Sequence, residues 1–327
     1  MSKQQRHESS PATMKAATIS HFGPPSVLEL HELPVPEPGE REVLIALHAA
    51  AVGSWDASMR DGSWKEGRTT FPLVIGTDGA GVVVARGSRV KRFRVGDRVY
   101  AASTENPKGG FYAQYVVARE ANTARVPKRL DFPHAAAGAF PGLTALQGIA
   151  RLGLRRGETV LVFGATGAVG TAAVQFAKQR GARVIATASG RAAQAVVRRL
   201  GAFAVLNVRK PNAIDELQKL APDGLDAAIA LAGGPELERC LALVRHGGHV
   251  VHPNGVEPAP RRRRGIRVQS YDASVGARDL AQLNRAIEAA RLRIPIAGMY
   301  PLARAADAHR KQEEHIVGRI VLRIRPG

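Results

Sequence analysis

The segment with the clearest chemical signature runs from Thr159 to Gly170, with the sequence TVLVFGATGAVG. Its apolar start predicts a buried strand, which leads into a turn of small residues and then a helix. The spacing is A-x-G-x-x-G, so Ala165 stands at the first glycine of the dinucleotide fingerprint. Gly167 lets the backbone approach a pyrophosphate, and Gly170 lets the helix pack closely on the strand. We therefore expect a dinucleotide to be bound at this turn, which contains Gly164, Ala165, Gly167 and Gly170.

The end of the next predicted strand indicates which dinucleotide is bound. An NAD site typically has an acidic residue about 20 positions further on, which accepts hydrogen bonds from the ribose hydroxyls. This chain has the sequence TASGR at positions 187–191, without a carboxylate. Ser189 can donate a hydrogen bond to a 2′-phosphate, and Arg191 can form a bidentate pair with it. The sequence predicts NADPH rather than NADH. The alternative is that Arg191 is a solvated residue in the first turn of a helix.

The apolar pattern divides the chain into two kinds of structure. From Met14 to about Ala118, short β-branched stretches alternate with prolines and glycines, which is typical of a small all-β unit. From Phe132 onwards, apolar strands alternate with helices, which predicts a doubly wound parallel sheet. We expect an α/β protein with a β-rich substrate domain over 1–125, a nucleotide-binding domain over 126–272 and a return to the substrate domain over 273–327. Residues 1–13 are expected to be disordered.

The composition argues against several classes of protein. The single cysteine, Cys240, cannot form an internal disulfide or a cysteine-rich zinc site, which fits a reducing compartment. The 10 histidines show no metal-ligand spacing. Met1 to Thr13 lacks the apolar core of a secretory signal, and no segment supplies the roughly 18 uncharged apolar residues of a membrane span. We expect a cytoplasmic protein with no metal site and no membrane association.

The chain is strongly basic. Its 47 Lys and Arg against 28 Asp and Glu give a formal net charge of +19, so its surface should attract anions. The densest run, Arg261 to Arg264, follows two prolines and predicts an exposed loop. No aromatic residues interleave with it, as they usually do at surfaces that bind single strands. Nucleic-acid binding is therefore a remote alternative.

Five further segments accompany the glycine turn in an order that resembles a known family. They are Phe71–Gly81 (FPLVIGTDGAG), Phe93–Tyr100 (FRVGDRVY), Gly110–Tyr115 (GFYAQY), Gly142–Ala145 (GLTA) and His315–Leu322 (HIVGRIVL). Together with the turn they resemble the medium-chain dehydrogenase/reductase superfamily, in its zinc-independent, quinone-reductase-like branch, over nearly the whole chain. The resemblance implies a GroES-like substrate domain, a Rossmann domain, a cleft between them and a homodimer without zinc.

The resemblance also implies roles for individual residues. Thr144 resembles a threonine near the nicotinamide, and Asn254 and Gly255 resemble residues that line the same end of the cofactor. The pyrophosphate contacts that the resemblance implies are Gly167, Ala168 and Val169. Arg319 stands where the family carries a lysine near the cofactor, which keeps the charge and changes its geometry. Gly53 stands where the branch often has an active-site asparagine. The departure at position 53 bears on the substrate and the activity.

The expected reaction is hydride transfer from NADPH to a small electrophile, either a quinone or an α,β-unsaturated carbonyl. The nicotinamide carries that chemistry, whereas a hydrogen-bond donor or solvent must stabilise and protonate the acceptor oxygen. Weak candidates for the donor are Ser54, Ser58 and Tyr112. Trp55, Trp64 and Tyr112 are expected to line the substrate pocket, with plain packing as the alternative for each tryptophan.

One alternative concerns a possible catalytic group. Asp56 and Arg60 are four positions apart, which favours a local ion pair over a catalytic carboxylate.

The alternative to a reductase is a regulatory or sensor protein that binds NADPH with little turnover. It is motivated by Gly53 and by the lack of an obvious proton donor.

Overall fold

The first part of the chain is rich in β-strands. The computed structural model describes residues 11–63 and 69–325. Residues 1–10, within the segment expected to be disordered, lie outside the described residues, and Thr13 already begins a strand. The elements are β1 (Thr13–Ile19), β2 (Glu29–Pro34), β3 (Glu42–Val52), α1 (Ser54–Asp61), β4 (Leu73–Val74), β5 (Asp78–Arg86), β6 (Arg98–Ala102), β7 (Tyr115–Arg119) and β8 (Thr123–Arg125).

The second part alternates strands with helices. The elements are α2 (Phe132–Leu152), β9 (Thr159–Phe163), α3 (Ala168–Gln179), β10 (Arg183–Thr187), α4 (Arg191–Leu200), β11 (Ala204–Leu206), α5 (Ala213–Leu220), β12 (Leu225–Ala230), α6 (Pro235–Leu241), β13 (Val244–Pro253), β14 (Arg267–Tyr271), α7 (Ala277–Ala290), β15 (Ile296–Pro301), α8 (Ala305–Gln312) and β16 (Arg319–Arg323). Six of the strands form one parallel sheet in the order β11-β10-β9-β12-β13-β14. Its central strands are apolar because helices cover both faces. The predicted doubly wound sheet is confirmed.

The β-rich part forms two further sheets. A three-stranded sheet has the order β2-β1-β4, and a larger one has the order β15-β16-β3-β5-β6-β8, with β7 also paired to β3. Strand β16 runs antiparallel to β3, with Val321 opposite Ala51. Strands from near the C-terminus thus complete a sheet that begins near the N-terminus.

Helix α1 corrects the expectation that this half is all-β. Its eight residues, SWDASMRD, are too few to show a helical period. The helix begins after Gly53, whose N–H donates to the Asp56 carboxylate at 2.7 Å, and ends at Gly62, which has a φ of 80°. A capped start and a left-handed end are sufficient to define this short helix.

Helix α2 lies between the two halves. The Asp131 carboxylate accepts the His134 N–H at 2.8 Å at its start, and the helix ends at Gly153. Its buried residues share one hydrophobic cluster with Ala49 of β3 and Val160 of β9. The helix therefore belongs to both cores and holds its central residues at their junction.

Strand β16 begins beside the glycine turn. The Gly318 N–H donates to the Thr166 carbonyl at 2.8 Å. Gly318 has a φ of 94°, and a Cβ there would lie 2.1 Å from the Pro295 carbonyl oxygen. A side chain would be excluded on both counts. This close approach brings Arg319 to the turn.

Candidate active site

A cleft of about 880 Å³ lies between the two halves. Its walls are the β3–α1 connection, the start of α3, the ends of β10, β11 and β13, and the segment before β16. The predicted residues that line it are Ser54, Trp55, Ser58, Thr144, Gly164, Gly167, Ala168, Val169, Gly170, Ser189, Asn254, Gly255 and Arg319. Ala165, Arg191 and Tyr112 are not among the lining residues. Trp64 lies outside the described residues.

The glycine turn between β9 and α3 has one packed face and one open face. A Cβ on Gly170 would lie 2.2 Å from the Gly164 carbonyl oxygen, so this residue holds the helix against the strand. A Cβ on Gly167 would meet only that oxygen, at 3.8 Å, because this glycine faces the cleft. The first N–H groups of α3 have no intrahelical acceptor. The turn can therefore hold a pyrophosphate. Ala165 has 0% exposure and packs beneath the turn, so its predicted contact with the dinucleotide is corrected.

The ends of β10 and β11 form one extremity of the cleft. Ser189 follows β10 and Arg209 follows β11, and these two strands are neighbours in the sheet. The side chain of Arg209 has no hydrogen bond or ion pair with any described residue. Arg191 is exposed at the start of α4 and lies off the cleft wall. The cation at this end is thus Arg209, which the sequence analysis missed.

The opposite extremity carries the predicted nicotinamide contacts. The Thr144 hydroxyl donates to the Phe140 carbonyl at 3.0 Å, so toward a ligand it can act only as an acceptor. The Asn254 amide donates to Asp272 at 2.6 Å, which fixes its orientation. A Cβ on Gly255 would lie 3.6 Å from the Trp55 ring. Trp55 therefore closes this end against the residues that follow β13.

The two departures from the family pattern, Gly53 and Arg319, are neighbours in space. A Cβ on Gly53 would lie 3.0 Å from Nη2 of Arg319 and 3.7 Å from Oδ2 of Asp56. The space above this glycine is thus occupied by the guanidinium. A longer side chain at position 53 would have to displace it.

Arg319 forms an ion pair with one of two buried carboxyl groups behind the cleft wall. Its Nη2 is 2.6 Å from Oδ1 of Asp78, whose other oxygen accepts the Phe140 N–H at 3.0 Å. Asp56 and Asp78 are both 0% exposed and Arg319 is 6% exposed. Burial raises the pKa of Asp78 to about 7, although Arg319 opposes this, and burial also raises the pKa of Asp56. We call Asp56 and Asp78 the acid pair.

Tyr112 lies beyond the acid pair, away from the cleft. It is 0% exposed, and its hydroxyl is 3.1 Å from Oδ2 of Asp56 and 3.0 Å from Nε2 of His309. Burial, reinforced by Arg60, lowers the pKa of His309 to about 3, so the ring is neutral at pH 7. Its Nδ1 accepts from Arg60 at 3.0 Å, and therefore Nε2 carries the hydrogen and donates to Tyr112. The Tyr112 hydroxyl then donates to Asp56, and its predicted roles as pocket residue and proton donor are wrong.

Arg60 has different partners from the one predicted. Its Nη2 lies 3.1 Å from Oε1 of Glu313, and its Nε donates to the Gly23 carbonyl at 3.0 Å. The expected ion pair with Asp56 is therefore wrong. Asp56 instead turns back to cap its own helix, because its carboxylate accepts the Gly53 N–H.

Thr77 is a second residue that the sequence analysis missed. It lines the cleft, is buried and immediately precedes Asp78. The motif that contains it, GTDGAG, was identified only for its resemblance. A hydroxyl next to a carboxylate at the start of a buried strand was a signal that could have been used.

The remaining features concern metals, charge and membranes. Within residues 11–63 and 69–325, no group of three or more His, Cys, Asp or Glu side chains is placed to hold a metal. Arg263 pairs with Glu238 at 2.8 Å, and the Arg261 N–H donates to the same carboxylate, so the basic run is partly tied to α6. Among the described helices, none combines the length and the apolar character needed to cross a membrane.

The fold and the cleft define a two-domain dehydrogenase or reductase, and comparison with known proteins agrees. Residues 39–128 match the alcohol dehydrogenase GroES-like domain, and residues 168–254 match the zinc-binding dehydrogenase family. The human quinone oxidoreductase is 33% identical over 309 residues, which span 90% of this chain and 93% of that protein. The chain belongs to the medium-chain dehydrogenase/reductase superfamily, in its quinone oxidoreductase branch, and is an oxidoreductase.

Two further similarities bear on the cofactor and the substrate. The chloroplastic NADPH-dependent alkenal/one oxidoreductase of Arabidopsis thaliana is 35% identical over 324 residues, covering 95% of this chain and 80% of that protein. A crystal structure of an NAD-dependent alcohol dehydrogenase superposes with a TM-score of 0.88 at 33% identity, covering 95% of this chain and all of that one. Relatives of similar identity are therefore named for different nicotinamide cofactors.

Proposed function

We propose that the protein transfers a hydride from NADPH to a quinone or an α,β-unsaturated carbonyl compound. The observation that carries this proposal is the arrangement of the cleft. A glycine turn suited to a pyrophosphate lies between a basic end, with Ser189 and Arg209, and an end walled by Trp55 and Thr144. The acceptor classes are those in the names of the human and Arabidopsis relatives.

The preference for NADPH rests on the ends of β10 and β11. A 2′-phosphate placed there would meet the Ser189 hydroxyl and the unpaired Arg209 guanidinium, a charge-assisted contact. Two carboxylates line the cleft, Glu236 and Glu314. Glu236 follows β12, which lies on the other side of β9 from β10, and Glu314 follows α8. Neither is therefore at the strand end where an acidic residue selects NADH.

The residues of the cleft have limited tasks in this reaction. When bound, the nicotinamide supplies the hydride, so the chain must orient the acceptor, exclude water and stabilise charge on the acceptor oxygen. Thr144 Oγ1 can accept a hydrogen bond from an amide of the cofactor. Trp55 supplies a flat apolar wall, and the Ser54 and Ser58 hydroxyls are donors within the cleft.

We also propose that the reaction needs no zinc. Cys240 is the single cysteine and is buried, and the described residues contain no cluster of metal ligands. The homodimer and the cytoplasmic location remain predictions, of which the first is checked by sedimentation of the purified chain. The relatives reported above give no support to a binding protein without turnover or to nucleic-acid binding.

The experiment that tests the cofactor proposal compares two arginines. Losing one charge-assisted hydrogen bond costs about 1.5–3 kcal/mol, so Arg209→Ala should raise KM for NADPH by about 10- to 100-fold and leave KM for NADH unchanged. Arg191→Ala is the matched control and should behave as the unmodified protein. An NADPH-specific defect in Arg191→Ala but not in Arg209→Ala would move the phosphate site to α4.

A further inference from the structure

The structure contains a second cavity, apart from the cofactor cleft. It has a volume of about 510 Å³ and is bounded by the segment that leads into α2, by α4 and by residues 292–295, which connect α7 to β15. Among the described residues, none lines both this cavity and the cleft. Volumes of about 300–1,000 Å³ are typical of sites for small molecules.

Much of the lining of the second cavity is apolar. It includes Leu130, Val196 and Leu200 of α4, and Leu292 and Ile294. The three leucines are buried members of the hydrophobic cluster that contains α2, and Val196 and Ile294 pack against the same cluster. Val196 and Leu200 are four positions apart and therefore share one face of the helix. An apolar chain in the cavity would thus extend the core of the protein.

The wall formed by residues 292–295 is held in place by hydrogen bonds. The Arg293 N–H donates to the side chain of Gln175 at 2.8 Å, and the Arg293 carbonyl accepts from the same side chain at 2.8 Å. Gln175 is buried in α3. The Pro295 carbonyl accepts the Arg319 N–H at 3.0 Å. The cavity is therefore preformed, and a ligand does not have to order this wall.

Three arginines with exposed side chains complete the lining. They are Arg129, Arg199 and Arg293. None of the three guanidinium groups has a hydrogen bond, ion pair or ring contact with another described residue. A guanidinium group is suited to bidentate contacts with a carboxylate or a phosphate. The donors around the apolar lining are thus available to an anion.

The carboxylate in the described lining of this cavity, Asp131, is already engaged. Its Oδ1 accepts the His134 N–H at 2.8 Å and lies 2.6 Å from Nδ1 of the same residue. Burial opposes these hydrogen bonds, but they lower the pKa of Asp131, so the group is ionised at pH 7. Apart from His134, three positive charges then face one negative charge. The cavity should therefore attract anions.

We propose that the second cavity binds an amphipathic anion, a small molecule whose apolar chain contacts Val196, Leu200 and Ile294 and whose carboxylate or phosphate head group is held by the arginines. The charge selects an anionic head group. The apolar lining selects a molecule with a chain over free phosphate. This inference goes beyond the proposed reaction and does not rest on it, because the described residues that line the two cavities are separate.

The test titrates the purified chain with octanoate, octanol and butanoate by calorimetry. Octanol lacks the charge of octanoate, and butanoate lacks its long chain. We expect saturable binding of octanoate at one site per chain, with affinities lower by about 10-fold or more for the other two. Added salt should weaken octanoate binding, because it screens exposed charges. Octyl phosphate in place of octanoate decides between the two head groups.

Two matched double variants locate the site. Arg199→Gln with Arg293→Gln removes two arginines of the lining and should weaken octanoate binding by about 10-fold or more. Arg198→Gln with Arg291→Gln removes the same charge from exposed residues outside the lining and should leave the affinity unchanged. Arg209→Ala removes a cation of the cofactor cleft and should also leave it unchanged. All five side chains are exposed, so the melting temperatures should match that of the unmodified protein.

Four results would overturn the proposal. The first is a lack of saturable octanoate binding, or equal affinities for octanoate and octanol. Equal weakening in the two double variants would mean general attraction to a basic surface, and weakening in Arg209→Ala would place the anion in the cofactor cleft. If octanoate does not bind and Arg199→Gln with Arg293→Gln changes the sedimentation coefficient, a second copy of the chain covers the cavity. These measurements do not involve turnover, so none of them bears on the proposed function.

Discussion

The glycine turn lies in the wall of the cleft and the acid pair is buried behind that wall, and the two are encoded in the chain in different ways. The turn is a continuous segment in which Gly167 opens the cleft and Gly170 packs the helix. The acid pair comes from α1 and β5, and its cation comes from β16: Asp78 and Arg319 are 241 positions apart in the chain. The glycine turn can be predicted from the spacing of residues along the chain. A charge balance between residues that are distant in the chain can be recognised only in the folded structure.

The largest expected effect concerns the acid pair. Arg319→Met leaves two buried carboxyl groups without their cation, which should cost about 3–5 kcal/mol of unfolding free energy. Because the pair can take up protons at low pH, the loss should be smaller at pH 5 than at pH 8. Urea unfolding at the two pH values measures both. Arg262→Met, at an exposed arginine, is the control and should change neither. Equal losses at both pH values would contradict the charge argument.

The glycine turn should separate stability from binding. Gly170→Ala places a methyl group 2.2 Å from the Gly164 carbonyl oxygen, so α3 must shift, at a cost of about 1–3 kcal/mol. Gly167→Ala meets nothing closer than 3.8 Å and should leave the melting temperature unchanged while weakening NADPH binding, because its methyl group enters the cleft. Thermal unfolding and cofactor titration of both variants test this. The comparison fails if Gly167→Ala is the less stable of the two.

The smallest expected effect tests whether Gly53 and Arg319 are coupled. Gly53→Asn should push against the guanidinium 3.0 Å away and destabilise the protein. Arg319→Lys in the same chain shortens that neighbour and should recover part of the loss, with a coupling energy of about 1 kcal/mol. A double-mutant cycle of unfolding free energies measures it. Strict additivity would mean that the two departures are independent.

The sequence predicted what depends on neighbouring residues. The apolar strands, the parallel sheet and the small residues of the turn follow from local pattern, and the structure places most of the predicted residues in the cleft. The sequence analysis misplaced residues whose role depends on partners that are distant in the chain. Tyr112 was expected in the pocket, but His309, 197 positions away, and Asp56 hold it in the core. Arg60 was expected to pair within α1, but Glu313 of the segment after α8 holds it instead.

The choice between Arg191 and Arg209 shows the same limit. Both follow apolar strands, and the spacing from the glycine turn favoured Arg191. Both arginines are exposed, but Arg191 begins α4 and does not line the cleft, whereas Arg209 follows the adjacent β11 and does. Strand adjacency in the sheet, β11 beside β10, is the information that spacing along the chain does not contain.

The most direct test of the account is oxidation of NADPH and NADH by the purified protein, with a quinone and an enone as acceptors and a metal chelator as control. We expect oxidation that depends on the acceptor, favours NADPH and is unaffected by the chelator. Saturable NADPH binding without oxidation in the presence of either acceptor would contradict the proposed reaction, and loss of activity with the chelator would contradict its independence of zinc.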